Sequence, residues 1–158
     1  MEISQLINSL SSLISDKHKS KKTRISLLRL MLIECRNNQK LLEITSWQNI
    51  SSEFQNEILK KLNSDSAKLY YSYADYTLLG SLLDKIGPSI EVDTNEENND
   101  MNKILSLITR VDAIKVIASL PLDLKNENRA NMKKRLSNLS SINLLVIKDL
   151  ENEIVNNG

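Results

Sequence analysis

The chain has 158 residues, a net charge of +1, one His, one Cys, three Gly and two Pro. This length suits one domain that buries a sizeable core without disulfide or metal, and the near-zero charge supplies no global field toward nucleic acid or lipid. A lone His18 and a lone Cys35 exclude a zinc site of several such ligands, and the isolated Gly80, Gly87 and Gly158 exclude a glycine-rich phosphate loop.

The pattern is helical nearly throughout. Ile3, Leu6, Ile7, Leu10, Leu13 and Ile14 recur at three and four, so a first helix is expected over 2–16. Residues 17–23 read as a polar, basic connector, with Thr23 placed to cap a long helix over 24–44. That helix carries Leu28, Met31, Leu32, Cys35 and Leu42, and its wide apolar stripe predicts contact from more than one side. A break is expected near Thr45-Ser46. Trp47, Ile50, Phe54, Ile58 and Leu62 then continue the spacing, and Ser52 with Gln55 resembles a capping box.

Asn63-Ser64-Asp65 reads as a turn before a helix over 66–86, which Gly87-Pro88 should end. Residues 88–100 hold five acids and no base, and read as an exposed acidic flexible loop. Asp93, Asn95, Glu97 and Asn99 alternate as calcium ligands do. However, Asn98 and Ile104 stand where such a loop needs Gly and Glu, so a solvated linker is the better reading. Helices resume from about 101 to Pro121 and over 126–156. The expected fold class is all-α: a single domain over 1–158, an antiparallel helical bundle of five to six helices with one long acidic loop.

Chemistry is sparse. Cys35 sits among core positions and has no His nearby to activate it. The carboxylate pairs Glu53/Glu57 and Asp149/Glu153 have lysines around them and read as solvated faces. No catalytic residue, cofactor or metal is therefore assigned, and the chain reads as non-enzymatic. Tyr70, Tyr73 and Tyr76 form one stripe at 100° per residue; it serves either as a core edge or as anchors for a protein partner or a second copy. Two basic clusters stand out. Lys17, Lys19, Lys21, Lys22 and Arg24 lead the first, over 17–40, and Arg129, Lys133 and Arg135 belong to the second, over 125–135. Brought together, they would make a patch for nucleic acid or another polyanion, and the acidic loop could compete for it.

The first reading is thus a helical interaction module binding a protein partner or itself through helix faces. The alternative is a polyanion-binding domain. No stretch is apolar enough to span a membrane, and the first helix suits packing better than a membrane surface because it lacks aromatic anchors. Together with the missing signal pattern, this makes the cytoplasm the expected location.

Overall fold

The computed structural model describes the backbone of residues 17–84, 95–121 and 126–157, and the side chains of residues 21–74, 100–121 and 131–157. The described residues are all-helical, with five helices packed on one another: α1 (Lys17–Thr45), α2 (Ser52–Leu59), α3 (Asp65–Asp84), α4 (Asn95–Ser119) and α5 (Asn126–Asn157). The expected first helix over 2–16 and the Gly87-Pro88 stop lie outside the described residues.

Two boundaries differ from the sequence reading. The basic connector is absent as such, because α1 already runs from Lys17. Lys and Arg are good helix formers, so the run joins the helix although it lacks apolar periodicity. Residues 95–100 of the acidic loop are likewise the first turns of α4.

Local chemistry sets the other ends. At the end of α1 the Thr45 hydroxyl donates to Leu42 O at 2.7 Å and the Ser46 hydroxyl to Glu43 O at 2.6 Å, which occupies carbonyls the helix leaves open. Asn49 then takes φ 69°, a left-handed turn that Asn tolerates better than most residues. The cap of α2 is Ser51, one residue before the expected Ser52; its hydroxyl accepts from Phe54 N at 3.2 Å. Gln55 instead reaches back to Thr45 O. α4 ends two residues before Pro121, whose ring disfavours a helical residue before it.

α1 packs against α2, α3 and α5, and α4 packs against the same three. The long helices therefore follow one another around the core in the order α1, α3, α4, α5, with the short α2 bridging α1 and α4. Between α1 and α5 Arg24 bonds Glu153, Asn143 bonds Cys35 O and Gln39 bonds Ser140, so numbers rise on one helix as they fall on the other, while the long Arg36 side chain reaches along the seam to Glu151. The core is built from Leu28, Met31 and Cys35 of α1, Leu59 and Leu62 at α2, Val111 and Ile114 of α4 and Leu139 of α5, all under 2–3% exposed. Each such aliphatic side chain contributes about 1.5–3 kcal/mol by leaving water.

Candidate functional site

Several residues singled out in the sequence have structural work. Tyr70 and Tyr73 are buried in the core cluster, so they present no stripe to a partner; this corrects their reading as anchors. The side chain of Tyr76 lies outside the described residues. Arg24 bonds Glu153 at 2.8 Å and lies close to Tyr70. Burial lowers its pKa, but Tyr70, Glu153 and Tyr73 together outweigh this and raise it above the ordinary value.

The N-terminal members of the first basic cluster lie far from the second, but Lys40 at its other end does not: its neighbour Gln39 bonds Ser140 and lines the same cleft as Lys133. Arg24 is bonded to Glu153, and Lys133 lies 20 residues away along α5, or about 30 Å at 1.5 Å per residue. Arg36 of the first cluster is bonded to Glu151 at 2.7 Å. Lys21 and Lys22 are exposed at one end of α1, and Lys133 and Arg135 are exposed on the distant half of α5. The side chains of Lys17, Lys19 and Arg129 lie outside the described residues. The carboxylate pairs are also engaged: Glu57 with Lys60, Asp149 with Lys103 and Glu153 with Arg24.

A polar knot that the sequence reading missed joins α1 to the start of α3. Glu34 is 8% exposed, and its carboxylate accepts from Ser66 N at 2.9 Å and Ala67 N at 3.1 Å. A side chain of one helix thereby caps another, holding negative charge at an N-terminus where amides and dipole favour it. Burial still pushes the Glu34 pKa up, against the pull of those two bonds. One turn on, Asn38 donates to Asn63 O at 2.6 Å and accepts from Asn63 N at 2.9 Å, clamping the turn before α3. Asp112 of α4 completes the knot, accepting from the Ser64 hydroxyl and from Lys68. These bonds between α1, the turn before α3 and α4 fix the helix positions.

Cys35 is 1% exposed, and burial followed by the Glu34 charge pushes its thiol up to about 12. A thiol held neutral and out of water is a core residue and not a nucleophile. The neighbouring Asn143 is fully buried. It donates to Cys35 O at 2.8 Å and to Gln39 Oε1 at 3.1 Å, while its own Oδ1 has no partner among the described residues. Gln39 passes the chain of bonds to the Ser140 hydroxyl at 3.0 Å.

Gln39 and Ser140 line a cleft of about 700 Å³ where α1, α2, α4 and α5 converge. This volume falls within the range of clefts that hold a compact ligand, roughly 300–1,000 Å³. Its apolar floor is Leu42, Ile117, Met132 and Leu136; its walls are hydroxyls and amides, among them Gln55, Asn56 and Ser137. Glu43 and Lys133 add one charge of each sign. Next in sequence to the lining residues Ser46 and Gln55 stand Trp47 and Phe54, at 64% and 54% exposure. They are the only Trp and the only Phe of the chain. Their spacing had continued a helical stripe, but the Asn49 turn breaks its phase and leaves both rings in water.

Among the described residues no three His, Cys, Asp or Glu side chains gather as a metal site, and no helix is long and apolar enough to cross a membrane. The described residues define an all-helical fold with a polar-walled cleft, and exposed aromatics stand next in sequence to two of its lining residues. The chain matches no protein-family model, and neither a curated protein nor a solved structure matches it at a significant level.

Proposed function

We propose that the chain is a non-enzymatic helical interaction module, an antiparallel bundle that seats a segment of a partner protein in the cleft. Trp47 and Phe54 hold that segment from the rim. The observation that carries this reading is the exposure of the only Trp and the only Phe, each next in sequence to a residue that lines the cleft. Aromatic rings left in water lose the burial a core would give them, and Trp is the residue most enriched at the energetic centres of interfaces. The wall chemistry favours a peptide segment. Amides and hydroxyls match peptide N–H and C=O groups, Leu42, Met132 and Leu136 receive an apolar side chain, and Glu43 offsets Lys133, so the site has no bias toward a polyanion. The N-terminal end of the first basic cluster stands far from the second, which speaks against one continuous patch over both clusters. A cytoplasmic setting is part of the proposal, in keeping with a lone buried Cys.

The test compares proteins captured from the host lysate by the wild-type chain and by W47A/F54A. Both side chains are exposed, so the double variant keeps the fold, which circular dichroism checks. The proposal expects a partner whose recovery falls at least about tenfold, the effect of losing one interface anchor. Identical recoveries from both proteins would overturn it.

A further inference from the structure

A second groove, of about 480 Å³, lies along α4 and takes Arg135 from α5; it shares no lining residue with the cleft. Its volume suits one compact ligand. Two guanidiniums, Arg110 and Arg135, line it beside Ser106 and Thr109, with Leu105 and Ile114 as its apolar part. No carboxylate lines it among the described residues.

The register of the two helices leaves both cations unanswered. Lys103 of α4 bonds Asp149 of α5 at 2.8 Å, and Ile117 shares the cleft with Met132 and Leu136, so numbers fall on α5 as they rise on α4. Seven residues make nearly two helical turns. Arg110 therefore repeats the place of Lys103 on α4, and Ile142 repeats that of Asp149 on α5. The side chain in place to answer Arg110 is an isoleucine. The next repeat along α5 is Arg135, a like charge about 10 Å farther along the seam. Neither arginine has an ion pair among the described residues, whereas Arg24 and Arg36 are each held by a glutamate. Arg110 Nε donates to Ser106 Oγ at 3.2 Å, which leaves its two terminal nitrogens without a partner among the described residues. Guanidinium nitrogens of this kind are the fork that grips a carboxylate or a phosphate.

We propose that this groove binds a small organic dianion, in which two carboxylate or phosphate groups are joined by an apolar body. One acid group meets Arg110, the other meets Arg135, and the body lies on Leu105 and Ile114. Leu105 is 43% exposed and leaves water when the ligand covers it. Nucleic acid fits less well, since the described lining holds no aromatic ring on which a base would stack.

The test titrates the full chain with straight-chain dicarboxylates and follows backbone amide shifts. Suberate, whose carboxyl carbons stand roughly 9 Å apart when extended, is expected to bind at least about tenfold more tightly than succinate or than octanoate, which has one acid group. Octanediol bisphosphate should shift the same amides, and whichever of the two dianions binds more tightly identifies the acid group. The shifts should centre on Arg110, Ile114 and Arg135. R110Q and R135Q should each weaken suberate about tenfold or more, and R135K less than R135Q, because it keeps the charge without the fork. Both arginines are exposed, so these variants keep the fold. W47A/F54A should leave binding unchanged, so failure here is distinct from failure of the cleft reading. Equal binding of suberate, succinate and octanoate would overturn the proposal, as would the absence of any saturable shift up to about 10 mM. So would tightening of more than about tenfold in E96Q/E97Q, which would make the chain's own acids the occupant. An oligothymidylate that shifts these amides and binds more than about tenfold more tightly than either dianion would assign the groove to nucleic acid, and a peptide with paired glutamates that does so would assign it to a partner protein.

Discussion

Replacing Glu34 by alanine removes the carboxylate that caps α3 from the side of α1. Two backbone donors, Ser66 N and Ala67 N, then lose their acceptor in a site where Glu34 itself is 8% exposed. A hydrogen bond to a charged group contributes about 1.5–3 kcal/mol, and a buried donor left unpaired costs about 1–3 kcal/mol. Against this, the variant no longer confines a charge that burial disfavours, the effect that raises the Glu34 pKa. The net expected loss is about 2–4 kcal/mol, or a fall in melting temperature of about 6–12 °C for a chain of this size. Urea and thermal unfolding followed by circular dichroism measure it. E34Q keeps one acceptor but turns an amide toward the second donor, so its loss should lie between wild type and E34A. A loss under about 0.5 kcal/mol in E34A would refute the cap, because it would place the change among ordinary surface substitutions. The sign of the pH dependence is a further check. With the folded pKa raised, the folded state holds the proton more tightly, so this contribution is full below the unfolded pKa and is lost as pH rises through the folded one. E34Q should lack that slope.

Other predictions rest on single observations. Cys35 should react with a thiol reagent in the native chain far more slowly than in urea, since its thiol is buried and pushed up to about 12; comparable rates would contradict its place in the core. Asp112 has its pKa lowered: burial raises it, but the bonds from Lys68 and Ser64 outweigh that. Its contribution is present above the unfolded carboxylate range and lost as pH falls through the folded pKa, so D112N should flatten acid unfolding at that end of the pH range. M31A empties a site with no exposed surface and should cost about 2–5 kcal/mol in urea unfolding; a cost below 1 would mean the core closes over the gap. In the free chain, Trp47 should emit as a water-exposed indole and be quenched freely by iodide.

The apolar spacing over Leu28, Met31, Leu32, Cys35 and Leu42 was enough to place α1, and Thr45-Ser46 and Pro121 marked real ends. What sequence could not show was long-range pairing. Glu34, Asn38 and Asn143 occupy buried positions because their partners lie 25 to 108 residues away, and no local pattern carries that information. Their one trace was a polar residue at core spacing, as Asn38 stands between Cys35 and Leu42. The tyrosine stripe had the periodicity of both a core edge and a surface, and only the burial of Tyr70 and Tyr73 separates them. Trp47 reads in the sequence as part of a helical stripe, and one residue, Asn49 at positive φ, breaks the phase of that pattern.

The central claim is that the cleft end seats a partner, and Trp47, the chain's only indole, reports on it directly. The partner lost by W47A/F54A should be titrated into the wild-type chain while Trp47 emission is recorded. A saturable shift to shorter wavelength, with protection from iodide, is the predicted result. Emission and quenching that stay unchanged at saturating partner would contradict the account.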